Sequence, residues 1–343
     1  IGRLQLVDPF GNDAEGIDVE AAHTNAVNAP YLVREEQTWN VGEGSRLDIN
    51  GFRSGRFGTE AVHKTGPGIL RLNAEAGDIG PFTLGSRKEN GGSVHVCVGT
   101  NAFGTASDDC GIRISGVKDS HDNQGVRFCT SSVVERPFTL DGENVYYSFI
   151  LEKDVTVRFT KAFNATGATR LTFATGAHVI TEGGGNIDGW TCFSGSSAAT
   201  WTVRGKPSTF AYLYLGSGPT FEIENTGHAF NGIEMNGPTH VIAAVPYALN
   251  TEAMRVYCSN ANAVLDVTGD QMIGGFLTMT GGKITSAIPS TVHFNQCDYS
   301  KTGYPDKPIT NKTVSVAGAV TLYKDKGGLF VQDCAAETTG GFG

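Results

Sequence analysis

VHKTGPGILRLNAEAGDIGPFTLGSRKENGGSVHVCVGTNAFGT, residues 62–105, carries the pattern that decides the fold. Three short runs alternate apolar and polar residues: Ile69-Leu70-Arg71-Leu72, Phe82-Thr83-Leu84 and Val94-His95-Val96-Cys97-Val98. Period-two alternation is the signature of a half-buried strand, and the glycines bounding each run are turn signals. The stretch therefore reads as strand, turn, strand, turn, strand, which makes one coil of a β-solenoid.

Lys64-Thr65-Gly66-Pro67-Gly68-Ile69-Leu70-Arg71-Leu72, Gly80-Pro81-Phe82-Thr83-Leu84, Gly92-Ser93-Val94-His95-Val96 and Asn101-Ala102-Phe103-Gly104-Thr105 follow one another within it. Upstream stand Thr38-Trp39-Asn40-Val41 and Ser45-Arg46-Leu47-Asp48-Ile49. Together these segments, from Gln37 to Thr105, resemble the autotransporter-associated β-strand repeat of large secreted bacterial surface proteins. One copy is present, and it departs from the repeat at the polar insertion Arg87-Lys88-Glu89-Asn90 and at Cys97. The resemblance implies a solenoid exported to the bacterial cell surface or beyond. It implies little chemistry, because the repeat is defined by strands and turns.

The rest of the chain agrees in composition. Glycine supplies 46 of 343 residues and charged residues only 18%, as many tight turns between short strands require. Runs of Ala, Leu, Glu and Lys that would favour helix are nearly absent, and Thr, Val and Gly stand in their place. A formal charge of -9, from 26 basic and 35 acidic residues, provides no basic face for phosphate backbones, so nucleic acid is not an expected partner. No run approaches the ~20 apolar residues of a membrane-spanning helix. A start at Ile1 without a basic-then-apolar leader predicts a mature, processed chain. The seven cysteines form no C-x-x-C signature, and their odd number leaves at least one free or paired between chains.

Along the chain, residues 1–36 are the least regular and are expected to cap the first coil, with Leu4-Gln5-Leu6-Val7 as a strand. Strand-like runs then recur to residue 332. The clearest periodicity is Trp201-Thr202-Val203, Phe221-Glu222-Ile223, Val241-Ile242-Ala243 and Val264-Leu265-Asp266-Val267, whose starts lie roughly 20 to 23 residues apart, a solenoid spacing. The predicted fold is all-β, a right-handed parallel β-helix over 37–332, followed by a glycine-rich tail at 333–343.

Several residues qualify as candidate chemistry. Asp108-Asp109 resemble the paired aspartates of β-helical polygalacturonases, and an inverting glycosidase needs two carboxyls about 6.5 to 9.5 Å apart; the alternative is a solvated turn. His95 and Cys97 share a strand face, as two metal ligands would, but no further ligands are visible nearby. Glu222 and Glu224 project from one face of one strand and, with Glu234, suit either a calcium or sugar site or a plain polar surface. Tyr212 and Tyr214 share a face that suits sugar stacking, protein contact or ordinary packing. Cys110 and Cys129 lie about one coil apart, so a stacked and bonded pair is expected. No cofactor motif is present.

The reading is a structural or adhesive bacterial surface β-solenoid, extracellular, with itself as partner and surface glycan as a second candidate. A polysaccharide-degrading β-helix enzyme and a phage tail-spike or fibre are the alternatives. Self-association is expected at the ends, through Leu4, Leu6 and Val7 and through Leu329, Phe330 and Val331, where an unpaired edge templates strand addition and hence a filament.

Overall fold

The computed structural model describes residues 5–6, 16–296 and 315–324, apart from 21, 34, 56–58, 87–90, 106–109, 116–124, 142–144, 168, 174–175, 196–197, 217, 250–254 and 280. All regular structure among them is β-strand. The chain divides into two compact units, Ile1–Asn186 and Ile187–Gly343, and each is a parallel β-solenoid.

In the first unit the chain visits three sheets in turn. The first sheet stacks Ile17–Val19, Gln37–Val41, Val62–Thr65, Phe82–Leu84, Ile112–Ser115, Phe138–Asp141 and Phe163–Thr166, each parallel to the next. The second stacks Thr24–Val27, Arg46–Ile49, Ile69–Leu72, Ser93–Val96, Gly125–Phe128, Val145–Leu151 and Thr169–Phe173 in the same way. Side chains alternate in and out along every strand, so register makes columns. Ile49, Leu72, Val96, Phe128 and Leu151 form one interior column, none more than 3% exposed. Burying each such side chain contributes roughly 1.5–3 kcal/mol, and the column adds one per coil.

Two sequence expectations are corrected by this register. Leu70 lies opposite Val94, so Ile69–Leu72 and Ser93–Val96 are the same side of successive coils and not two sides of one. Alternation identifies a strand but carries no information on which strand it stacks upon. The solenoid also begins earlier than residue 37: Ile17–Val19, Thr24–Val27 and Tyr31–Val33 pair in parallel with Gln37–Val41, Arg46–Ile49 and Arg53–Gly55. They form a coil, and Gln5–Leu6 pairs antiparallel to Ile17–Val19 with Leu6 opposite Ile17.

The third sheet is interrupted. Among the described residues between Arg53–Gly55 and Ser132–Val134 it is reduced to the single bridges Arg53–Ala76 and Thr100–Val133, after which Thr156–Phe159 and His178–Thr181 restore it. Buried carbonyls without ladder partners are costly, and interior cations supply the missing donors. Arg136, 1% exposed, donates to the carbonyls of Cys110 at 2.6 Å, Gly80 at 2.7 Å and Phe103. Arg53, 2% exposed, donates to those of Ala74 and Ala102. Lys64, in the interior column below Leu84, gives its three N–H groups to Thr65, Gly66 and Gly91, and burial pulls its pKa down to about 7.

The second unit repeats the design. Thr200–Val203, Thr220–Ile223, His240–Ala243, Val264–Val267, the start of Lys283–Gln296 and the start of Ser315–Lys324 form one parallel ladder. Its interior column is Trp201, Phe221, Val241, Leu265 and Ile284, the periodicity expected from sequence. A second ladder runs through Ser208–Leu215, Gly232–Met235, Arg255–Cys258 and Gln271–Met279. Phe210 and Phe230 stack in it at 4.8 Å. Gln271 is fully buried and plays the corner role of the first unit's cations, accepting from Leu249 N–H and donating to the carbonyls of Val245 and Thr268.

Candidate functional site

Outward positions of the second sheet in the first unit collect what the interior excludes. Register aligns Asp48, Arg71, His95, Arg127 and Ile150 in one outer row, and Thr24, Arg46, Ile69, Ser93 and Gly125 in the row beside it. Rungs of a parallel sheet lie about 4.8 Å apart, so residues more than 20 positions apart in sequence become immediate neighbours. An open groove of about 560 Å³ runs along this face, lined among others by Arg46, Ile69, Ser93, His95, Arg127 and Ile150.

Two guanidiniums line the groove, and each is held by an acid. Arg127 donates Nε–H at 2.9 Å and Nη2–H at 2.6 Å to the Glu152 carboxylate, while Arg46 pairs with Asp48 at 2.9 Å. Each acid fixes a guanidinium through Nε and Nη2, two positions of a fork with five N–H groups. Burial and then the guanidiniums of Arg127, Arg71 and Arg46 hold His95 below the usual histidine range. Its Nε2 lies 3.3 Å from the Ser93 hydroxyl. No described residue lining the groove carries a carboxylate. The arrangement therefore offers cationic and hydroxyl donors beside aliphatic ledges, which suits an anion carried on an apolar or ring-shaped body.

The sequence candidates fall elsewhere or resolve differently. Asp108, Asp109, Leu4, Val7, Leu329, Phe330 and Val331 lie outside the described residues. Leu6 pairs within its own chain, opposite Ile17. Among the described residues no third His, Cys, Asp or Glu joins His95 and Cys97 in a metal-binding group. Cys110 and Cys129 are not bonded to each other, and the strands that carry them correct the expected stacking. Cys110 precedes the first-sheet strand Ile112–Ser115 and Cys129 ends the second-sheet strand Gly125–Phe128. The coil here takes 32 residues from Ser93 to Gly125, so the interval between the two cysteines is less than one turn and they do not stack.

In the second unit the acids are engaged singly. Glu222 accepts the Thr202 hydroxyl at 3.1 Å, Glu224 pairs with Arg204 at 3.4 Å, and Glu234 accepts from the Tyr212 hydroxyl and Asn236. Glu222 and Glu234 belong to different ladders, so the three do not converge on a cation. Tyr212 and Tyr214 both face outward, half-buried, flanking the interior Leu213.

Sequence reasoning missed the groove because Arg46, Arg71 and Arg127 each look like an ordinary outward residue. The signal was the near-constant offset from Arg46 to Ile69 to Ser93, which only gains meaning once register is known. Comparison with models of known families, with curated proteins and with solved structures finds no match to this chain.

Proposed function

We propose that this protein is an exported adhesive β-solenoid of a bacterial surface, and that the arginine-lined groove of its first unit holds an acidic glycan. The carrying observation is the lining itself: Arg46 and Arg127, each held by an acid, stand beside the Ser93 hydroxyl and the His95 imidazole, with no carboxylate among the described residues of the lining. Guanidinium forks match carboxylate or sulfate groups, hydroxyls such as Ser93 complement sugar hydroxyls, and Ile69 and Ile150 offer aliphatic contact to a ring face. The same composition disfavours glycoside hydrolysis at the groove, which needs a pair of carboxyls across the bond. Export and the surface location rest on the resemblance of residues 37–105 to the autotransporter-associated repeat.

Calorimetric titration with uronate-containing and neutral oligosaccharides tests the reading. The acidic ligands are expected to bind, more weakly at high salt, and Arg127→Ala to weaken them about tenfold or more. Equal binding of neutral sugars, or release of new reducing ends from the acidic polymer, would overturn it.

A further inference from the structure

One outer column of the first unit is built from amides, thiols and an acid. It stands at the end of the second sheet, where Asn28, Asn50, Asn73, Cys97, Cys129 and Glu152 follow the last strand residue on successive coils. Backbone bonds fix that alignment: Asn50 N–H reaches the Val27 carbonyl at 2.9 Å, Asn73 that of Ile49 at 2.9 Å, Cys97 that of Leu72 at 2.9 Å, Cys129 that of Val96 at 2.7 Å and Glu152 that of Phe128 at 3.0 Å. In the lower rungs the side chains touch from coil to coil, with Asn50 donating to Asn28 at 2.7 Å and Asn73 to Asn50 at 2.6 Å. At the next two rungs the ladder changes chemistry and becomes thiol on thiol.

We propose that Cys97 and Cys129 are a reversible dithiol–disulfide pair that staples two coils across the longest excursion of the first unit. Three observations carry this. Neighbouring rungs lie about 4.8 Å apart, inside the 4.4–6.8 Å range of Cα separations a disulfide accepts. The Cys129 thiol lies close enough to Cys97 for that neighbour to shift its titration. The third is an asymmetry around the sulfurs. Arg71 Nε–H donates to Cys97 Sγ at 3.2 Å, and a guanidinium has no acceptor, so Cys97 is the acceptor there. Burial, and next the neighbouring Cys97, push the Cys129 thiol up to about 12, which keeps Cys129 protonated.

The asymmetry assigns an order. With a small-molecule disulfide such as oxidised glutathione as oxidant, the Cys97 thiolate, its proton given to solvent, attacks one sulfur. The disulfide S–S bond breaks, one glutathione thiolate leaves and takes up a proton, and Cys97 carries a mixed disulfide. Cys129 then loses its proton to solvent and attacks Cys97 Sγ, expelling the second glutathione thiolate, which is protonated in turn. Two protein thiols are oxidised and one disulfide is reduced to two thiols. Arg71 is a positioning residue for the first step.

The full chain, equilibrated in glutathione buffers from reducing to oxidising, acid-quenched, alkylated and mapped by mass spectrometry, tests the pairing. A Cys97–Cys129 cross-linked peptide is expected under oxidising conditions and is expected to disappear with dithiothreitol. Cys129→Asn should trap Cys97 as its glutathione adduct, while Cys97→Asn should leave Cys129 a free thiol; asparagine continues the ladder, and circular dichroism verifies that both variants fold. Arg71→Ala should slow adduct formation at Cys97 roughly tenfold with the cross-link still attainable. Two free thiols under oxidising glutathione, a bond from either cysteine to Cys110, or first modification at Cys129 would overturn the proposal.

Discussion

His228 shows how a single side chain ties stability to acidity. It is 2% exposed, and its Nδ1 accepts the Ser208 N–H at 3.0 Å while Nε2 faces the Asn225 amide oxygen. An accepting Nδ1 requires the proton on Nε2, so the neutral tautomer is built in. Burial holds its pKa at about 4, below the unfolded value of about 6.5. Between those two values the unfolded chain binds more protons, so stability is full above pH 6.5 and falls as pH drops towards 4. The shift corresponds to about 3 kcal/mol. Urea unfolding of wild type and His228→Gln at pH 7 and pH 4.5 should show a smaller pH loss in the variant; an identical loss would mean that His228 does not titrate as described.

At the level of strands and corners, Arg136 replaces a missing piece of sheet. Its three carbonyl partners lie at Gly80, Phe103 and Cys110, along the stretch where the third sheet thins to single bridges. Truncation leaves three buried acceptors and a void, so Arg136→Ala is expected to cost about 3–5 kcal/mol. Arg136→Lys should recover only part of this, because an ammonium cannot reproduce the planar fork. A denaturation series that placed Arg136→Ala within about 1 kcal/mol of wild type would show that water serves those carbonyls as well. Strand existence was legible in the sequence for the same physical reason that these corners were not. Period-two alternation marked Ile69–Leu72, Phe82–Leu84 and the Trp201, Phe221, Val241 series directly. Lys64, Arg53 and Arg136 read as surface residues, since a buried cation is recognisable only from the carbonyls gathered round it. The groove and the asparagine–cysteine column share this limit: both are products of register, which local pattern does not encode.

For the whole molecule, the first coil raises the question of what stops a parallel stack from growing. Gln5–Leu6 lies antiparallel on the outer edge of Ile17–Val19, occupying backbone groups that otherwise template a further strand. Removing residues 1–7 is therefore expected to promote association, seen as a concentration-dependent rise in mass by light scattering. A truncated chain that scatters like the full one would assign the protection to another segment.

Coil length varies while rung spacing does not: the chain takes 20 residues from Val62 to Phe82 and 32 from Ser93 to Gly125. Strands and corners thus obey different rules under insertion and deletion. One residue added inside Ser93–Val96 turns the strand's inner face outward and breaks a core column. Added at a corner, the same residue changes only a loop, whose closure entropy grows by about 0.6 kcal/mol for each doubling of length. Such a chain can acquire new surface loops one corner at a time, with its neighbouring coils unaware of the change.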